Sequence, residues 1–167
     1  MTTSNENGKT RRLMTLEQRE IAADDNRTQH IRLTFSMHRL EHSLGQAAPG
    51  REEKWLRDVD KALELLIVAM KESQSIVCRD DGLVEEIKYT TPRLLSRIAN
   101  LRDEFEGLLQ QATTLRDQLK QVANRSSTAF TDLRQRMDWL LSGLRHHQAK
   151  ETDLIYEAIN VDIGVGD

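Results

Sequence analysis

Hydrophobic residues recur at steps of three and four along most of this chain, the period of a helix with one buried face. The clearest line is Leu94, Ile98, Leu101, Phe105, Leu108, Ala112, Leu115, Leu119 and Val122, alternating strictly by four and three. Such a heptad seam marks a helix packed nearly parallel or antiparallel to its neighbours. A second seam runs Phe130, Leu133, Met137, Leu140, Leu144, His147, Glu151, Leu154 and Ala158. A third face carries Leu56, Val59, Leu63, Leu66, Met70, Ser73 and Val77, and a fourth carries Leu33, Met37, Leu40, Leu44 and Ala47.

Punctuation between these lines sets the elements. Residues 1–14 are polar and charged and read as a disordered leader. Thr15-Leu16-Glu17-Gln18 has the spacing of a capping box, and Asp24-Asp25-Asn26 is expected to interrupt the helix that starts there. The first core helix is expected from Thr28 to Ala47, ending at Ala48-Pro49-Gly50. The second spans Arg51 to Val77 and stops before Asp80-Asp81-Gly82; Leu83 to Tyr89 is a short helical candidate. Thr91-Pro92 opens the third, with proline in the first turn, where its missing N–H costs nothing. Ser126 or Ser127 caps the fourth, expected from Thr128 to Ile159. The acidic, Gly-containing tail 160–167 is expected to be non-helical. Residues 15–159 therefore predict one all-α domain, an antiparallel four-helix bundle. Each buried leucine-sized side chain contributes roughly 1.5–3 kcal/mol, so the seams could hold such a bundle without metal or disulfide.

Composition agrees with this pattern. Two prolines and 4% aromatic residues in 167 positions argue against a sandwich or barrel. A net charge of −3, with acids and bases interleaved, argues against nucleic-acid binding. Cys78 is the single cysteine, which excludes an internal disulfide framework. The leader has no apolar core of a secretory signal, and Leu65 to Met70 is too short to span a bilayer. A cytoplasmic protein without membrane contact is the expectation.

Chemistry is suggested where the apolar pattern breaks. His147 and Glu151 occupy seam positions one turn apart, so both side chains point the same way. A buried carboxylate needs a partner, which could be a metal ion or protonated His147. The alternative is a partly solvated pair at the edge of the bundle. His38 and His42 form a second one-turn pair, on a line with Ile31 and Phe35 that flanks the core. They could chelate a metal or be ordinary border histidines. No histidine lies between His42 and His146, and Glu-x-x-His does not occur, which excludes a ferritin-like di-iron arrangement.

Taken together, Met37-His38-Arg39-Leu40, the stretch Asp81-Gly82-Leu83 through Pro92-Arg93-Leu94 to Leu101-Arg102-Asp103-Glu104-Phe105, and the block from His147 through Glu151 to Asp162-Ile163-Gly164 resemble the hemerythrin-like (HHE cation-binding) bundles. The resemblance covers roughly Ile31 to the C-terminus. It implies a four-helix bundle able to hold two non-haem irons between histidines and carboxylates, for oxygen binding or redox sensing. Carried over, His38 (or else His42), His147 and Glu151 are the metal ligands. Imidazole and carboxylate suit iron.

The chain departs from that pattern elsewhere. Glu104-Phe105 stands where the family has Glu-His, and Gln74 and Cys78 fall where it has His-x-x-x-Glu. A complete di-iron centre is therefore not expected; no cofactor, or one iron or other divalent metal, is. The expected function is a non-enzymatic structural, regulatory or partner-binding module with a degenerate metal site. The alternative is a reduced-site metal protein sensing redox state, oxygen or nitric oxide. A protein partner or homodimerisation fits the first. His147-Gln148-Ala149-Lys150 also has a phosphotransfer-like His-x-x-Lys spacing, which would require an exposed histidine.

Overall fold

A computed structural model describes residues 16–46, 49–77, 92–122 and 127–163. These residues form four α-helices and one 3₁₀ turn: α1 (Leu16–Gly45), α2 (Glu52–Val77), the turn Pro92–Leu94, α3 (Leu95–Val122) and α4 (Ser127–Ile163). The fold is an all-α four-helix bundle.

Three boundaries differ from the sequence expectation. Asp24-Asp25-Asn26 does not interrupt α1, which is continuous from Leu16. Asp and Asn cost a helix interior only about 0.7 kcal/mol each, little enough for good helix formers on both sides to carry the helix through. Pro92 opens a 3₁₀ turn, and the α-helix begins at Leu95. At the other end α4 runs on to Ile163, so the first residues of the expected tail are helical. The leader, the Leu83 to Tyr89 helical candidate and Cys78 lie outside the described residues.

The α1–α2 turn matches its sequence signals closely. Gly50 has φ 75°, a left-handed conformation that favours glycine. Its N–H donates to the Glu52 carboxylate at 3.0 Å, and Trp55 N–H reaches Arg51 C=O at 2.9 Å to begin the helical ladder. Glu52 and Glu53 place negative charge at the positive end of the α2 dipole.

Cross-helix contacts give the directions. Arg97 meets Glu157, Glu104 meets Lys150 and Gln118 meets Arg136, so α3 and α4 run in opposite directions. Thr34 with Gln148, Glu41 with Arg145 and Gln46 with Arg134 give the same reversal for α1 and α4. On the α2–α3 side, Arg116 reaches Asp60 and Glu64 at 2.9 Å each. Its hydrogen bond to Asp60 leads the effects that raise its pKa above the ordinary arginine value.

Inside, Leu40, Leu63, Leu66, Met70, Leu115, Met137, Leu140 and Leu144 are fully buried in one large cluster. Trp55 is buried at its edge, with Phe130 at 5.7 Å and the Arg134 guanidinium 5.3 Å from its ring centre. A separate small cluster contains Leu94, Ile98 and Leu154, with Leu95 and Leu101 against it. Among the described residues, no helix is long and apolar enough to cross a membrane.

Candidate functional site: a polar layer between two apolar clusters

The seam of α4 explains why there are two clusters. Leu144 belongs to the large cluster and Leu154 to the small one, and His147 and Glu151 lie between them. On α3 the same division falls between Ile98 and Phe105. Polar residues of α4 therefore separate the two clusters at this level.

His147 is 5% exposed. Its ring packs on Phe105, with centroids 5.0 Å apart and planes tilted by 39°. Its Nδ1 is buried and, among the described residues, accepts or donates no hydrogen bond. Burial holds the imidazole pKa below its ordinary value of 6.5; the Glu104 carboxylate opposes this shift and Lys150 reinforces it. Burial thus disfavours the charged form of the ring.

Glu151, one turn further, is half-buried. Burial raises its pKa above the ordinary 4.5, and the His30 imidazole on α1 partly offsets this. Among the described residues it makes no hydrogen bond or ion pair. On α1, the Gln29 Oε1 is likewise buried and, among the described residues, without a partner. The rim is satisfied: Lys150 Nζ donates to Glu104 at 2.9 and 3.1 Å, and Gln148 Nε2 to Thr34 at 3.4 Å.

Of the three metal-ligand candidates, the structure therefore places His147 and Glu151 in one layer. It places His38 elsewhere. The His38 side chain is 68% exposed, with Nδ1 3.5 Å from the Glu41 carboxylate. His42 is exposed as well, 3.3 Å from the Gln46 amide. Both sit on the face of α1 opposite Leu33, Met37, Leu40 and Leu44, so this line is an outer face rather than a border of the core. Among the described residues, no three His, Cys, Asp or Glu side chains gather into a possible metal site.

Spacing along the chain did not single out Gln29 or His30, and it named Glu104 and Lys150 in separate motifs without pairing them. A signal for the last two was available. With α3 and α4 reversed, the residue beside Phe105 on one helix meets a residue one turn from His147 on the other, which brings Glu104 to Lys150. A phosphoacceptor role for His147 requires an accessible ring, and this ring is buried.

Chemically, the layer offers one unpartnered imidazole nitrogen and one carboxyl group whose ionisation burial disfavours. Fold and site together define a four-helix bundle with a buried histidine–glutamate layer. No protein-family model, curated protein or solved structure matches this chain.

Proposed function

We propose that this chain is a non-catalytic four-helix module of hemerythrin-like character that has given up two-metal chemistry and works through a protein partner. The observation that carries this reading is the position of Phe105. Its ring lies against His147 inside the bundle, in the space where the resemblance would put a second ligand and metal. His38, the other implied histidine, faces outward. A two-iron centre does not fit this donor set.

A second reading is favoured by one observation, the unpartnered buried Nδ1 of His147 one turn from Glu151. These two could hold a single divalent ion with water completing its coordination.

Metal content separates the readings. Protein purified without a His-tag and loaded anaerobically with ferrous iron is expected to retain well under one metal per chain by mass spectrometry. One metal per chain, lost in His147→Ala, would support the second reading. Two per chain would overturn both.

A further inference from the structure

The outer face of α1 carries a second helical seam. Ile31, Phe35, His38 and His42 are spaced by four, three and four, and all are exposed. Ile31 is 59% and Phe35 62% exposed. They lie opposite the residues that α1 buries, so the bundle itself makes no use of them. The Arg32–Glu72 ion pair, at 3.5 Å, bridges α1 to α2 at this level. Across that bridge α2 adds exposed Leu65 and Val68. The outer face of α1 is thus an exposed, partly apolar strip of the kind an amphipathic partner helix packs against.

Its charge is one-sided. Between Arg27 and His42, α1 carries a single carboxylate, Glu41. Glu41 is engaged by Arg145 at 2.7 Å, and Glu72 on α2 by Arg32. The seam's flanking cations Arg27 and Arg39 are exposed and, among the described residues, have no ion-pair partner. Along α1, the carboxylate Glu41 is thus paired within the chain, and Arg27 and Arg39 are not.

We infer that this strip docks an amphipathic helix of a partner protein whose apolar seam is flanked by carboxylates. The inference rests on the partner-binding reading above and names the surface and the partner's chemistry. A second copy of this chain fits less well. Paired antiparallel, two α1 helices bring Arg32 against Arg39 of the other copy. Paired parallel, they bring Arg27 against Arg32. Like charges at flanking positions oppose both pairings.

The test uses the whole chain and two synthetic helical peptides about three heptads long, labelled with fluorescein. Both carry leucine at the seam; one has glutamate at every flanking position and the other lysine. Fluorescence anisotropy is expected to show the glutamate peptide binding at least about tenfold more tightly than the lysine peptide. Phe35→Ala is expected to weaken binding about tenfold, and the double variant Arg27→Glu with Arg39→Glu to reverse the preference. These side chains are exposed, so circular dichroism should show unchanged helix content and unfolding. Equal binding of both peptides, no binding, or binding indifferent to Phe35→Ala would overturn the inference. So would a dimer seen by sedimentation that Phe35→Ala dissolves, since it gives the face to a second copy. The metal measurement is independent: metal-free protein that ignores both peptides removes this surface but not the non-catalytic reading, and one that binds metal and the glutamate peptide does the reverse.

Discussion

Replacing His147 by leucine tests whether the polar layer is a structural cost or a working site. The imidazole is 5% exposed, with an unpartnered Nδ1. Leaving a buried polar group without a hydrogen bond costs about 1–3 kcal/mol, which leucine relieves. Leucine also joins the large cluster at Leu144 to the small one at Leu154. Against this stand the ring contact with Phe105, about 0.5–1.5 kcal/mol, and imperfect shape fit, below about 1.5 kcal/mol. Those three terms nearly cancel, and burial of the added leucine surface, about 1 kcal/mol, leaves a gain of about 1 kcal/mol, or roughly 3 °C in melting temperature for a domain of this size. The gain should also depend on pH. The folded-state pKa of His147 is depressed, so its neutral form carries full stability above the unfolded value of 6.5. That stability is lost as pH falls from there through the folded value, because the unfolded chain binds the proton more readily. Thermal unfolding followed by circular dichroism should therefore show a larger benefit of His147→Leu at pH 5.5 than at pH 7.5. A lower melting temperature at both pH values would refute the reasoning and mean that the imidazole has a stabilising partner.

Glu151→Gln should act with the opposite pH sense. The raised folded-state pKa means the stability of the protonated form is present below the unfolded value of 4.5 and is lost as pH rises through the folded value. The variant should therefore gain on wild type by chemical denaturation at pH 7 and lose that advantage near pH 4. At Gly143 a Cβ would stand 2.9 Å from Leu108 Cδ2, across the α3–α4 contact. Gly143→Leu is accordingly expected to cost about 1 kcal/mol net, overpacking against Leu108 outweighing the helix propensity gained over glycine, read as a lower denaturation midpoint at unchanged slope.

The bundle was legible because its seams repeat. Leu33 through Leu44, Val59 through Met70, Ile98 through Val122 and Leu133 through Leu144 contribute the buried positions that their spacing predicts. Burial at this period needs no partner information. The site was half legible. His147 and Glu151 interrupt an otherwise apolar line, and a line of that kind faces inward wherever the helix continues. His38 was harder, because α1 has apolar residues on two opposite faces. Phe35 and Ile31 on the outer face look like core residues to any periodicity argument, and the histidines beside them inherit that ambiguity. Only the positions of α2 and α4 decide which face is inside. The roles of His30 beside Glu151 and of Lys150 beside Glu104 were hidden for a related reason: both arise between helices distant in sequence.

The Arg134 side chain ties together three helices at the other end of the molecule. It lies over Trp55 at the start of α2 and donates to the Gln46 carbonyl, at 3.1 Å, just past the end of α1. That end is fastened by stacking and a charged donor, and the large apolar cluster continues directly from it. Among the described residues, the apolar packing is thus continuous from the Trp55 end and is broken by His147 and Glu151 before Leu94, Ile98 and Leu154. Free energies of local opening differ between parts packed so differently.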